Sequence, residues 1–468
     1  MFYSESKSGM SCHKLELEAI ISNKNVMSRH TAKTILLDPN DKSADPKTRP
    51  GPLDSIFYSE IHPMAWFSID NVEFNASKTS YVPPPGYDYL LSSAVTAVLP
   101  AISVKDKFRD QYQIAWCKNV MNEIIDDLTL KVDTYITLGK IDHHWLNIEQ
   151  KVYGTLGFDD EYNRGQGNIP QLQTFASFLP NHHLRRDLPL FYCDSPDLAM
   201  PLFLLNSQAS FSHICNFHLD IKKLLMMKKL VKDNWVKIKP ILKVLNGVPE
   251  KDNLDDPKMI GEMVVIGDKE REWNKCQREE FTYYINEIVA LGDDAEPVGF
   301  GSSPSVSLSS TIPTSDIFYV AHNVTAEQMY NMRARYGIIE SGETPIYKTN
   351  LKYNNEDKIK DASNCRIASA YKNHYDRAPS PDMLAISFTH KSCNRHGLNV
   401  GVNLGGLGAM LRCSLQDPEH AKWLNNESDV RGESEDYTQT EAQKFRLLVR
   451  LRLQRKLVIE KGLLAHVD

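Results

Sequence analysis

The chain has 468 residues, 41% of them hydrophobic and 24% charged, the balance of a soluble globular protein with room for two or three domains. Its formal net charge of −6 gives it no global basic field to recruit nucleic acid. No apolar run reaches the ~18–20 residues of a membrane-spanning helix, and the opening MFYSESKSGMSCHKLELEAI lacks the charged-then-apolar order of a signal peptide.

Residues 1–52 read as an N-terminal arm. Its last part, DPNDKSADPKTRPGP (38–52), carries four prolines among many charges and suits an extended linker. From residue 53 the pattern is β. In LTLKVD (128–133), Leu128, Leu130 and Val132 alternate with Thr129, Lys131 and Asp133. SFSHICNFHLDI (210–221) does the same, with Phe211, His213, Cys215 and Phe217 on one face. Such strands bury one face and wet the other, as in an antiparallel sandwich. Residues 226–256 are basic, then acidic, with Pro and Gly, and read as a connector. Strand patterns resume at MVVIG (263–267), DIFYVAHN (316–323), TNLKYNN (349–355) and MLAISFTH (383–390).

The predicted fold is mainly β: two tandem eight-stranded antiparallel jelly rolls at 53–225 and 257–405, with a few short helices. Period and length alone fit other sandwiches as well. The remainder, 406–468, reads as a partly helical C-terminal extension. Its end (440–468) has no proline, one glycine and many good helix formers. Arg446, Arg450, Arg452, Arg455 and Lys456 make it basic, so an amphipathic helix is expected there, either docked on its own protein or touching an anionic surface.

Several clusters resemble chemistry. Asp142-His143-His144 has zinc-binding residue types, but adjacent helical residues diverge by about 100°, and zinc motifs on helices use i, i+4 pairs. Positions 147 and 148 are Asn and Ile. The better reading is Asp142 as an N-cap, Trp145, Ile148 and Val152 as a buried stripe, and Gly154 as the stop. NHHLRRD (181–187) reads as a solvated loop, and His213 as a hydrogen-bonded core histidine. His213 and His218 fall on opposite strand faces, which opposes a cupin-type metal site. GVNLGGLGAM (401–410) lacks G-K-[ST], and no G-x-S-x-G occurs. No catalytic, cofactor-binding or metal-binding residue is assigned. The eight cysteines, none in C-x-x-C, read as free thiols. Asn75, Asn323 and Asn426 begin formal glycosylation acceptors.

Against this background, EIHPMAWFS (60–68), GYDYLLSSAVTAVLPAI (86–102), AWCKNVMNEIIDDLTLKV (115–132), IDHHWLNI (141–148) and the run 188–219 resemble the major capsid proteins of nucleocytoplasmic large DNA viruses, most closely the iridovirus type. FYVAHNVT, NLKYNN and SFTHKSCNRHGLNV match more loosely in the second half. The structural fingerprint is His62, Pro63, Trp66, Pro100, Trp116, Asn119, Asp142, Trp145, Pro189 and Pro201. The resemblance implies a double jelly roll that forms homotrimeric pseudo-hexagonal capsomers and tiles an icosahedral virion shell assembled in the host cytoplasm. Implied partners are other copies of itself, minor capsid or penton proteins and, through the basic C-terminal helix, an inner membrane; no specific nucleic acid and no cofactor is implied. A paralogous minor capsid or penton protein, and a metal-dependent cupin-like enzyme or lectin, are the alternatives.

Overall fold

Residues 68–132, 136–154, 159–193, 198–204, 211–266, 280–326, 336–338, 343–375, 380–389, 401–405, 408–416, 443–460 and 463–467 are described by a computed structural model. In the first half the strands run β1 (Ser68–Glu73), β2 (Asn75–Ser77), β3 (Ser80–Val82), β4 (Tyr89–Leu99), β5 (Ile102–Val104), β6 (Tyr112–Trp116), β7 (Ile125–Val132), β8 (Ile136–Asp142), β9 (Phe178–Leu179), β10 (His182–Asp187), β11 (Met200–Pro201), β12 (Phe211–Phe217), β13 (Leu225–Val231), β14 (Asn234–Ile238), β15 (Leu245–Asn246) and β16 (Lys258–Val265). The second half adds β17 (Glu280–Leu291), β18 (Ser305–Leu308), β19 (Pro313–Asn323), β20 (Ile346–Tyr353), β21 (Glu356–Ser363), β22 (Leu384–Ser387), β23 (Val402–Asn403), β24 (Ala409–Leu415), β25 (Phe445–Glu460) and β26 (Leu463–Val467). Two helices matter below: α1 (Val120–Ile124) and α2 (His143–Tyr153).

The two halves repeat one topology. One sheet is ordered β1-β16-β4-β10 in the first half and β17-β25-β19-β22 in the second; the facing sheet is β2-β3-β12-β7-β8, then β18-β24-β20-β21. The opening strand of each half therefore pairs with its closing strand, antiparallel throughout. That closure of two Greek keys is a jelly roll, and the chain holds two. The alternation read from the sequence is the burial pattern of β7, where Ile125, Leu128, Leu130 and Val132 are buried and the residues between them are half-exposed. Two smaller sheets, β14-β13-β6 and β15-β5-β9, extend the first roll.

Three expectations are corrected here. The C-terminal helix is instead a strand: β25 runs for 16 residues at the centre of the second roll, between β17 and β19. Its residues Phe445, Leu447, Val449, Leu451 and Leu453 alternate into the second core. The period of two, together with an open slot beside the roll's first strand, overrides helix propensity. The connector 226–256 is also structured, since β13 pairs β6 and β14 pairs β13. NHHLRRD is a strand rather than a loop, paired along its length with β4. The roll boundaries shift with these changes. Strand β16 closes the first roll, and the second, which begins at β17, stays open until β25 is in place.

The centre of the sheet β17-β25-β19-β22, β19 with the adjoining part of β25, is buried on both faces. Ile317, Tyr319 and Ala321 of β19 face the second core, while Phe318 and Val320 join the core of the first roll, as does Leu448 of β25. Cys117, Cys215 and Cys413 are buried, Cys193 is half-buried and Cys365 exposed, and none of these five lies in a disulfide among the described residues. Burial pushes the Cys413 thiol up to about 12, which makes it inert.

Candidate functional site

The chain's most concentrated chemistry is the seam between the two rolls, and α2 is its centre. Asp142 ends β8 and caps α2: its Oδ1 accepts the Trp145 backbone N–H at 2.6 Å. At the other end the Gly154 N–H donates to the Gln150 carbonyl. Trp145, Ile148 and Val152 are buried, but the helix does not dock on the first roll alone. The Trp145 ring lies 5.4 Å from the ring of Phe318 in β19, centroid to centroid, so α2 is a wedge between both rolls.

The second oxygen of Asp142 reaches across the seam. Arg450 in β25 donates through Nη2 to Asp142 Oδ2 at 2.6 Å, and through both Nη atoms to Asp293 at 2.7 and 3.1 Å. The Arg450 side chain has no exposed surface. Burial disfavours its charge, and the two carboxylates more than offset that, holding its pKa above the ordinary arginine value. Arg452, two residues on and on the same face, sits 3.3 Å from Asp316 and donates to the Tyr153 hydroxyl of α2. Tyr375 donates to the other Asp316 oxygen at 2.7 Å. Lys151 of α2 pairs with Asp382 of the second roll. His144 contacts Tyr336 Oη at 2.8 Å, and its ring lies 4.9 Å from that of His322. Burial, then the nearby Glu123 and Asp142, push the Tyr336 pKa well up, so it stays a hydroxyl.

The remaining fingerprint residues shape the first roll. Trp116 is fully buried at the end of β6. Asn119 adopts the left-handed conformation (φ 54°) that starts α1 and donates to Asn147 of α2 at 2.7 Å. Asn147 in turn donates to the buried Glu123. Pro100 lies between β4 and β5, where the missing N–H ends one strand before the next sheet begins. Pro189 follows β10, and Pro201 pairs with Tyr89 on β11. His62, Pro63 and Trp66 lie outside the described residues, as do Cys12, Cys276, Cys393 and Asn426. Asn75 is exposed on β2, whereas Asn323 is buried and donates to Gly337 and Gln443. His213 is buried with Tyr192 Oη 2.5 Å from its Nε2, and burial lowers its pKa to about 3.

The seam carboxylates bond Arg450, Arg452 and Lys151, and His144 bonds the Tyr336 hydroxyl. Among the described residues, no group of three His, Cys, Asp or Glu converges as metal ligands would. A cavity of about 400 Å³ opens between β8 and β25, lined by Asp126, Lys140, His143, Asp293 and Arg446, with cations and carboxylates facing each other. What this arrangement does is hold two sandwiches side by side. Sequence reasoning missed Arg450, Asp293, Asp382 and Phe318 as seam residues. The alternation V-R-L-R-L-Q (449–454) was the signal for the first of these.

Comparison with known proteins follows this geometry. Residues 55–241 match the family described as major capsid protein N-terminus. No curated protein sequence matches. Among solved structures the chain is similar to VP54 of PBCV-1, at 12% identity, 86% of this chain, 97% of that chain and a TM-score of 0.60. It is similar to the Faustovirus major capsid protein at 8% identity, 92% and 98% coverage and a TM-score of 0.61. A chain of the Sputnik virophage matches at 10% identity, 86% and 88% coverage and a TM-score of 0.53. At these identities the shared property is the double jelly-roll fold.

Proposed function

We propose, from the premise that residues 55–241 belong to the major-capsid-protein N-terminal family, that this chain is a structural subunit of an icosahedral viral shell. The observation that carries the proposal is the seam. Arg450, Trp145 and Lys151 lock two like rolls into one block, so a threefold ring of such blocks has six similar corners. Homotrimers of this kind make pseudo-hexagonal tiles, with the subunit confined to the virion and no catalytic role. Each contact in a closed threefold ring is heterologous, using two different patches, and a permanent ring needs about 2,000 Å² or more per contact.

The outer edge of the second roll supports association through loops and faces rather than by adding strands. Edge strand β21 carries Glu356, Asp357, Lys358, Lys360 and Asp361 along an exposed length, and charges there oppose uncontrolled strand pairing. Contact with an inner membrane through a basic tail helix is withdrawn, because those arginines sit in β25. Light scattering on the purified protein tests the reading: a trimer at micromolar concentration, seen as pseudo-hexagonal particles by electron microscopy, is expected. A stable monomer refutes it.

A further inference from the structure

The segment that leads into the closing strand differs in charge between the two rolls. In the first roll, residues 222–243 carry eight lysines against one aspartate. In the second, residues 417–442, which lie outside the described residues, carry eight acidic residues against one lysine and one arginine. Both connect topologically equivalent strands, β12 to β16 and β24 to β25.

The basic segment presents a partly apolar, lysine-rich surface. Strands β13 and β14 form a hairpin whose Val236 and Ile238 are buried, so Trp235 and Lys237 face outward. Lys228, whose Nζ lies 4.3 Å from the centre of the Phe175 ring, is the cross-strand neighbour of Lys237, and Leu230 that of Trp235. Trp235 is 36% exposed, Ile241 40%, and Lys232 and Lys239 in the same segment are exposed. Strand β14 ends its sheet, while the side of the first roll that meets its own second roll is occupied by α2 and β8. An exposed tryptophan on a lysine-rich hairpin suits a charged, partly apolar partner.

We infer that the β13–β14 hairpin of one copy takes the acidic segment 417–442 of the next copy in the ring. This rests on the proposed trimer, in which first and second rolls alternate and each basic segment meets an acidic one. The pairing discriminates between neighbours, since first roll against first roll would juxtapose lysines.

Charge exchange tests it. Lys228→Glu with Lys237→Glu, and separately Glu433→Lys with Glu435→Lys and Asp436→Lys, should each raise the trimer dissociation constant at least about tenfold at 0.15 M salt. The penalty should shrink toward 1 M salt, where the screening length falls to about 3 Å. Combining both sets should restore wild-type affinity to within about threefold, by sedimentation on samples with native circular dichroism. If the hairpin variant misfolds, the acidic-segment variant decides alone, because it alters no described strand. A trimeric wild type with both variants unchanged, or a combination that fails to restore affinity, overturns the inference and leaves the capsid reading standing. A monomeric wild type overturns both. Loss of binding to anionic phosphatidylserine vesicles by the hairpin variant, with its trimer unchanged, also overturns the inference in favour of a membrane contact.

Discussion

Arg450→Met is the sharpest probe of the seam. Methionine keeps the unbranched chain and its packing but removes three hydrogen bonds to carboxylates. Breaking a buried ion pair by deleting one partner costs about 3–5 kcal/mol. Here the stranded groups, Asp142 and Asp293, have side chains 21% and 38% exposed and regain some water, so about 2–3 kcal/mol is expected. Asp142→Ala should cost more, about 3–4 kcal/mol, because it half-strands a guanidinium with no exposed surface and also removes the cap of α2, itself worth about 1 kcal/mol. The assay is urea unfolding followed by tryptophan fluorescence. With a slope of roughly 3 kcal/mol per molar, Arg450→Met should lower the midpoint by about 1 M. The double variant should cost less than the two singles together by at least about 1 kcal/mol, the mark of a direct interaction. Additive costs within about 0.5 kcal/mol would refute the claim that this bridge joins the rolls.

Trp145→Ala should lose about 3–5 kcal/mol and assemble poorly, with static light scattering as the readout. His144→Ala, which strands the buried Tyr336 hydroxyl, should cost about 1–2 kcal/mol by the same urea titration. His143→Ala should leave trimer formation unchanged. Deleting residues 440–468 removes β25 from between β17 and β19, so the truncated protein should be insoluble; recovery of a folded trimer would contradict the assignment of the tail to the second core. Finally, His213 in the folded chain resists protonation down to about pH 3, against 6.5 unfolded. Unfolding therefore takes up a proton below pH 6.5, and stability is lost as pH falls through that window, by about 2 kcal/mol at pH 5. His213→Gln should flatten that part of the pH-stability curve, and an unchanged slope would exclude His213 as its source.

Much of this was legible locally. The cap at Asp142, the stripe of Trp145, Ile148 and Val152, and the alternation of β7 and β12 depend on neighbours a few residues apart, which the chain states directly. The tail shows the limit of that reading. Its composition favours a helix, yet F-R-L-L-V-R-L-R-L also carries a period of two. A strand with arginines on one face reads as half-exposed when sequence is the only guide. Arg450 and Arg452 are buried because carboxylates from distant segments, Asp142, Asp293 and Asp316, meet them there.

The amino-acid order alone determined that this is a β-rich chain of two sandwich-forming halves with a capped helix at 143–153. Only the tertiary structure decided where each roll ends and what the helix does. The pairing of β17 with β25 joins residues 280 and 460, and no local pattern encodes a partner so far away. The capped helix became a wedge for the same reason: whether Trp145 packs on one roll or on two depends on Phe318 arriving from the other half, a contact that exists only once both jelly rolls have closed.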